Sequence, residues 1–564
     1  MLQENLIKLY EQSFRNNREM SALTDYHSGE TYSYYGLAKE IAKLHILMEN
    51  AGVKPKDRIA LVGRNTPRWC IVYLATITYG AVIVPILQDF TPTDITHIVN
   101  HSESTLMFLT DSFWDSLDEE AMPEVRAFLS LTDYHVIYER GNYDITDCIN
   151  NMTANYRKRY PQGFTINNIT YRDVPNDEVI LLNYTSGTTG YSKGVMLTVN
   201  NLTGNILFAT SYANKNGYHY YHKGMRMLSF LPLAHAYGCT FDMLTPLVIG
   251  GHVTLLGRIP TPKILIEAMH YVRPTVICSV PLILEKVYRK QILPMLSKGP
   301  LSIAMKVPLL NVALYSTIRT KLIEAFGEEL ELFIVGGAPM NQETEQFLHK
   351  IHFPLTTGYG LTECGPLVSF ADWQEFKLGS CGKYLKRHIE CVIDSYNPQH
   401  VPGELLIRGE HVMKGYYKNP KDTDAVFDEN GWFHTGDMAT MDDDGTLYIK
   451  GRCKTMILTS SGQNIYPEQI EDKLNNLPLV LESLVVEHDG KLYGLVVPDF
   501  EQIERLHIDN ATLKEHMNEN LKLLNEQVAS YEKLVAISLH MSEFEKTPKR
   551  SIKRYLYQGK HLIG

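Results

Sequence analysis

The sequence predicts an α/β protein. It has a large N-terminal domain of parallel-rich sheets with helices plus a small β subdomain, followed by a small α+β C-terminal domain. Three observations predict this. The chain has 564 residues, and single cores seldom exceed about 250–300. Through the first part, short apolar runs alternate with segments of helical spacing, the pattern of βαβ units. From Gly379 to Gly445 the pattern shifts to short strands with close turns, and about 110 residues after Lys454 form a compact α+β pattern of their own.

The elements follow in order. Residues 1–60 read as helical and polar, with a hairpin at Gly29-Glu-Thr-Tyr-Ser-Tyr34. Trp69 to Gln88 carries no charge and is almost long enough to span a membrane, but Gly80 and Pro85 divide it. It reads as a buried helix, then a buried strand over Ala81–Val84. Residues 140–175 are polar and read as a surface excursion. Glu178-Val-Ile-Leu-Leu-Asn183 is an apolar strand. Met227 to Gly238 is a strand running into a turn, and His235 heads an apolar helix from Cys239 to Ile249. Gly250–Leu256 and Pro274–Pro281 are strands. Residues 282–330 are mainly helix, broken near Gly299-Pro300. Glu331–Pro339 and Leu355–Glu363 end in glycine-rich turns, where ligands bind at the carboxyl ends of an open sheet. Gly451-Arg-Cys-Lys454 reads as a linker.

The net charge of −10 and the absence of a basic block argue against nucleic-acid partners. Eight cysteines without a CxxC pair are expected to be reduced thiols without zinc. The N-terminus lacks a long apolar stretch and does not read as a signal peptide. A cytoplasmic location is expected, with contact at a membrane surface left open.

One stretch concentrates the chemistry: Tyr184-Thr-Ser-Gly-Thr-Thr-Gly-Tyr-Ser-Lys-Gly194. Three glycines and five Ser/Thr hydroxyls give unblocked backbone N–H groups and little bulk, as wrapping a phosphate requires. Lys193 adds a positive charge. The spacing is not that of a Walker A loop, in which Lys follows Gly and precedes Ser or Thr. It resembles the AMP-binding signature of the adenylate-forming superfamily, which includes acyl-CoA synthetases, luciferases and peptide-synthetase adenylation domains. Five more stretches fit that resemblance in order: Gly336-Gly-Ala-Pro339, Thr357-Gly-Tyr-Gly-Leu-Thr-Glu363, Gly431-Trp-Phe-His-Thr-Gly-Asp437, Gly451-Arg-Cys-Lys454 and Ser460–Glu471.

The resemblance implies a nucleotide site. Thr185, Ser186, Gly187, Thr188, Thr189, Gly190 and Lys193 would hold the phosphates of ATP. Gly337, Ala338 and Pro339 would lie flat against adenine. Thr357, Gly358, Tyr359 and Gly360 would complete that wall, with Tyr359 stacking. Thr362 would meet the α-phosphate, and Glu363 with Thr185 would bind Mg²⁺, an ion that takes hard oxygen ligands. Asp437 and Arg452 would bind the ribose. His235, Tyr237, Gly360 and Gly365 would line the acid site, and Gly462 would border the channel for CoA. Lys454 would be the hinge. The implied domains are 1–450, hinge 451–454 and a small mobile domain 455–564.

Leu231-Pro-Leu-Ala-His-Ala-Tyr237, Pro281–Tyr288 and Tyr359–Ser369 resemble long-chain fatty acid–CoA ligases. The implied reaction activates a medium- or long-chain fatty acid to acyl-AMP, releases pyrophosphate and transfers the acyl group to CoA. An amino acid substrate fits less well, because the segment after His235 shows no dedicated ammonium-binding aspartate, Asp242 being the only candidate there. Three rivals stand beside this reading: an enzyme loading an acyl or aryl acid onto a carrier protein, a luciferase-like oxygenase, and a binding or scaffold protein with a weakened site. The last is motivated by one departure. Relatives carry a catalytic lysine near the C-terminus. In Glu545-Lys-Thr-Pro-Lys-Arg-Ser-Ile-Lys-Arg554 that position holds Ser551. If the segment is extended, Lys549 or Lys553 projects on the same side and could substitute.

Overall fold

A seven-stranded sheet organises the first half of the chain. Its order is Val136–Glu139, Ala127–Ser130, Ser104–Leu109, Arg58–Val62, Val82–Ile86, Val179–Thr185 and Lys193–Thr198. The five middle strands run parallel and both edge strands antiparallel. The computed structural model describes the whole chain except Asn142 and residues 186–191, 216–219, 258–259, 298–309, 459–462, 548–550 and 559–564.

The uncharged segment resolves as its composition suggests. Helix Pro67–Tyr79 is buried on almost every side. Thr66 caps its start with Pro67 in the first turn, and Gly80 ends it at φ 85°, a left-handed conformation that glycine adopts without strain. Strand Val82–Ile86 follows, wholly buried between parallel neighbours. No described helix is long and apolar enough to cross a membrane.

A second sheet joins Arg226–Ser229, His252–Leu255, Ser21–Asp25 and Thr31–Ser33. The last two form the expected N-terminal hairpin. A third, parallel sheet holds Val276–Ser279, Leu332–Val335 and Leu355–Thr357. The small β subdomain is a four-stranded antiparallel sheet of Ile389–Asp394, Gly403–Gly409, Phe433–Met441 and Leu447–Arg452. Alternate residues of Ile389–Asp394 are buried and exposed, as a sheet with one wet face requires. After residue 454, strands Val480–His488, Lys491–Pro498 and Leu534–Leu539 pack with helices Pro467–Asn475 and Asn510–Gln527 around a separate core that includes Leu474, Val496 and Leu524.

Four expectations are corrected. Residues 140–175 are not merely irregular: Ile145–Asn150 and Met152–Arg159 are short helices, and Tyr156 and Tyr160 pack on Phe164. The helix after His235 starts earlier, at Ala236, and is interrupted by a π-helical turn over Cys239–Leu244. Gly451 and Arg452 are not linker. They end the strand Leu447–Arg452 and pair with Met438 and Asp437. The described residues on either side of 548–550 pair with each other rather than continuing as one extended segment. Thr547 N donates to Ser551 O at 2.8 Å and Lys546 bridges Ile552, so the chain reverses there. Lys553 therefore lies on the returning arm. The break expected near Gly299-Pro300 lies outside the described residues.

Candidate active site

Strand Val179–Thr185 returns as Lys193–Thr198, and Thr185 sits opposite Lys193 in register. The connecting turn holds Ser186, Gly187, Thr188, Thr189 and Gly190, which lie outside the described residues. A second segment fixes what stands beside Lys193. Met196 N donates to Gly415 O at 3.0 Å, Tyr417 N to Gly194 O at 2.8 Å, and Met413 N to Glu363 O at 2.8 Å. Residues 413–417 thus run between the hairpin and the Thr362–Cys364 turn, tying two parts of the chain far apart in sequence.

Tyr416 joins them chemically. Its hydroxyl donates to Glu363 Oε1 at 3.0 Å, and Lys193 Nζ lies 4.9 Å from its ring centroid, a cation–π contact. Lys193 is also ion-paired to Asp422 Oδ2 at 2.6 Å, which holds the Asp422 carboxyl below its usual range. Asp422 is placed by Asn419, which caps the short helix Pro420–Asp424. Neither Tyr416 nor Asp422 is among the site residues read from sequence. The run Gly415-Tyr-Tyr-Lys-Asn-Pro420 was the signal available, with two aromatics before a helix start.

A second cluster lies beside the first. Asp437 is buried and opposite Arg452 in the antiparallel ladder. Arg452 Nε donates to Asp437 Oδ1 at 2.8 Å, and the Tyr359 hydroxyl donates to Oδ2 at 2.5 Å. Burial pushes the Asp437 carboxyl up, while the Arg452 charge and the Tyr359 hydrogen bond pull it down. Glu363 acts electrostatically on both Asp437 and Arg452, so the two clusters stand close together.

Glycines open the surroundings. A Cβ on Gly360 would stand 2.3 Å from Pro366 O, so no side chain fits there. Gly337 has φ 84°, and Gly337, Ala338 and Pro339 are exposed. A Cβ on Gly336 would lie 3.4 Å from the Tyr237 ring, whose hydroxyl donates to Ile334 O at 3.1 Å. Gly358 N donates to Val335 O at 3.0 Å, and Thr357 is buried at the strand end. Thr362 is buried in the turn that presents Glu363. His235 Nδ1 accepts from Tyr237 N at 3.3 Å, so this histidine caps the helix it heads. Gly365, at φ 66°, sits against Asn205.

The remaining sequence-derived residues divide. Lys549 and Gly462 lie outside the described residues. Lys553 pairs with Glu545 at 3.6 Å, and its neighbour Arg554 pairs with Glu471. Among the described residues, every ion pair of Lys546, Lys553 and Arg554 stays within the small domain. That domain touches the large body through helix Pro467–Asn475: Arg289 Nη1 donates to Asn475 O at 2.7 Å, and Asn341 Nδ2 to Asp472 Oδ1 at 3.1 Å.

A family model described as AMP-binding enzyme matches residues 10–417, and one described as AMP-binding enzyme C-terminal domain matches 454–560. The chain belongs to the AMP-binding enzyme family. It is a member of the adenylate-forming superfamily and resembles its fatty acid–CoA ligases. Among its relatives, the long-chain-fatty-acid–CoA ligase FadD15 of Mycobacterium bovis is 29% identical over 82% of this chain and 76% of the relative. The 4-coumarate–CoA ligase CCL1 of Humulus lupulus is 26% identical over 94% and 89%. The fold is that of ATP-bound MatB from Rhodopseudomonas palustris, with TM-score 0.75, 22% identity and 98% of each chain covered.

Proposed function

We propose that this family member is an acid–CoA ligase. It activates a medium- or long-chain fatty acid with ATP to an acyl-adenylate, releasing pyrophosphate, and then transfers the acyl group to CoA, releasing AMP. The observation that supports this reading is the chain of contacts that brings Lys193 and Glu363 together on Tyr416, with Asp437, Arg452 and Tyr359 clustered nearby. The fatty acid is favoured by the resemblance of the segments around His235 and Gly365 and by the name of the mycobacterial relative. The aryl-acid relative makes chain-length and ring-bearing acids the first panel to compare.

In the first step a carboxylate oxygen of the acid bonds to the α-phosphorus, and the bond to the bridging oxygen of pyrophosphate breaks. Both reactants are anions, so the site must supply fixed positive charge and donors before they meet. Lys193 provides charge at the hairpin. Thr362 donates toward the α-phosphate. Asp437 accepts from both ribose hydroxyls, and Arg452 holds Asp437 in place. Gly337, Ala338, Pro339, Thr357, Gly358 and Gly360 leave a flat wall for adenine, with Tyr359 on its face. Glu363 and Thr185 offer one carboxylate and one hydroxyl, a donor set suited to Mg²⁺ when phosphate oxygens complete the shell. When bound, the ion would neutralise phosphate charge. Among the described residues no three His, Cys, Asp or Glu side chains gather as a metal site, so the phosphates must supply the other ligands.

In the second step the CoA thiolate attacks the acyl carbon and AMP leaves. Gly462 borders the channel for the thiol, His235, Tyr237, Gly360 and Gly365 line the acid site, and Lys454 is the hinge between domains 1–450 and 455–564. With Ser551 at the usual lysine position, the adenylation step is slow or served by Lys549. Pyrophosphate release is to be measured with Mg²⁺-ATP across acids of about two to eighteen carbons, with CoA and a carrier protein as competing acceptors. Release that peaks at medium or long chains and yields acyl-CoA supports the reading. No release with any acid overturns it.

A further inference from the structure

The small domain meets the large body at a place that the reaction above does not use. On the large body, helix Pro281–Val287 runs into a π-helical turn over Tyr288–Ile292. Such turns are rare and often mark functional sites. Tyr288 anchors this one: it is buried, its ring packs on Phe347, and its hydroxyl donates to Glu343 Oε1 at 2.9 Å. The turn is thereby fixed against helix Gln342–Lys350. Its next two residues, Arg289 and Lys290, reach the small domain.

Arg289 makes the more specific contact. Its guanidinium donates twice, from Nη1 to Asn475 O and from Nη2 to Asn476 Oδ1, each at 2.7 Å. One planar fork thus grips the end of helix Pro467–Asn475 at two points, one of them a carbonyl that a helix end leaves without an internal partner. Beside it, Asn341 Nδ2 donates to Asp472 Oδ1 at 3.1 Å and to Asn476 Oδ1 at 2.5 Å. Asn341 is itself fixed. It is buried, it caps helix Gln342–Lys350 by accepting from Thr344 N at 3.1 Å, and its own N–H donates to Glu285 Oε1 at 2.8 Å. Asp472 also accepts from Gln342 N. A small-domain carboxyl therefore lies on the N-terminal end of a large-body helix, the end that favours negative charge. The gripped helix also begins beside the nucleotide cluster. Glu468, in its first turn, acts electrostatically on Arg452, which holds Asp437. Gripping the last turn fixes how the first turn meets that cluster.

We propose that Arg289 is a positioning residue which, with Asn341 and Asp472, sets the small domain against the nucleotide cluster in the placement that serves one of the two half-reactions. The proposal rests on the ligase reading above. Adenylation and thiol transfer bring different reactants to one site, so a contact that fixes one placement of the small domain favours one step over the other. The chemistry of the contact suits that task. Its donors are held in place by the large body, which makes the docked geometry specific. Its bonds are polar and exchange for water on release, unlike the apolar core of the small domain around Leu474, Val496 and Leu524.

The test uses the full chain and measures the half-reactions separately. One assay follows pyrophosphate release from Mg²⁺-ATP and a fatty acid without CoA, and the other follows thioester formation from supplied acyl-adenylate and CoA. Wild type, Arg289→Ala, Arg289→Lys, Asp472→Ala and the double variant Arg289→Ala/Asp472→Ala are compared, with thermal melts to verify folding. Amide exchange is followed at Gln342, whose N–H donates to Asp472. Exchange at Gln342 should quicken in both alanine variants. The ratio of the two half-reaction rates should shift by about 10-fold in each, and the double variant should shift it little further. Arg289→Lys, which keeps the charge and loses the fork, should recover part of the ratio. If Arg289→Ala does not fold, Asp472→Ala and Arg289→Lys carry the comparison. Unchanged exchange at Gln342, or equal slowing of both half-reactions, overturns the inference alone. Wild type that performs neither half-reaction with any acid overturns the ligase reading and this inference with it.

Discussion

On the nucleotide side of the proposed site the acids come with partners. Glu363 accepts from Tyr416, Asp422 holds Lys193, and Asp437 takes both Arg452 and Tyr359. Across Tyr237, Asp242 is more deeply buried than any of them and meets only the neutral side chains of Ser229 and Cys278. The contrast follows from what each end would receive. A nucleotide brings its own charge and can displace or join preformed ion pairs. A hydrocarbon chain brings none, so a polar group at that end must be satisfied by neutral neighbours of the protein itself, because leaving it unsatisfied costs about 1–3 kcal/mol.

The comparison can be broken most sharply at Asp437. Asp437→Ala should lower kcat/KM for ATP-dependent pyrophosphate release by about 100-fold or more, because the proposed ribose contact goes and an exposed guanidinium and a half-buried phenol lose their partner together. A decrease under about 3-fold would separate Asp437 from catalysis. Glu363→Gln should follow with a loss of about 100-fold. It should also raise the Mg²⁺ concentration needed for half-maximal rate, read by titrating the ion at fixed ATP.

A pH effect of about a few kcal/mol is expected from Glu345. This residue is buried beneath the site, and burial raises its carboxyl to about 7, opposed by the Gly379 N–H at 2.7 Å. Its folded-state value lies above its unfolded one. Its protonated form therefore favours folding below the unfolded value near 4.5, and that contribution disappears as pH rises through about 7. Thermal melts from pH 5 to 8 should show stability falling through this window, and Glu345→Gln should flatten the fall. An unchanged slope in the variant would refute the assignment.

Smaller effects sharpen the picture. Ser551→Lys should speed pyrophosphate release by about 10-fold while leaving thioester formation from supplied acyl-adenylate unchanged. Equal effects on both half-reactions would place residue 551 outside adenylation. Asp422→Asn should lower KM for ATP a few-fold with kcat held, since the nucleotide no longer competes for Lys193. Its effect on stability should stay below about 1 kcal/mol, as expected for a pair about one-third exposed.

Much of the geometry around the proposed site was legible because glycine-rich turns are written in short stretches of sequence. Gly360 marks where a side chain cannot stand and Gly337 a left-handed turn that favours glycine, and both marks are local in sequence. Asp437 and Arg452 were also legible, although Arg452 proved to be the end of a strand rather than linker. Tyr416 and Asp422 were not, because their roles depend on residues 413–417 docking across a hairpin more than two hundred positions earlier. Lys553 was misplaced for a related reason: the reversal at 547–551 rests on hydrogen bonds that composition does not announce.

The sequence by itself determined the α/β class, the buried helix and strand around Gly80, the order of the glycine-rich turns and the charge-bearing residues at their ends. Periodicity and glycine placement are properties of short segments, so they survive without a fold. Tertiary structure alone decided which charges meet. It paired Lys193 with Asp422, linked Glu363 to it through Tyr416, and sealed Asp242 among neutral neighbours. Burial and pairing energies depend on groups brought from distant parts of the chain, and only the packed structure sets those distances.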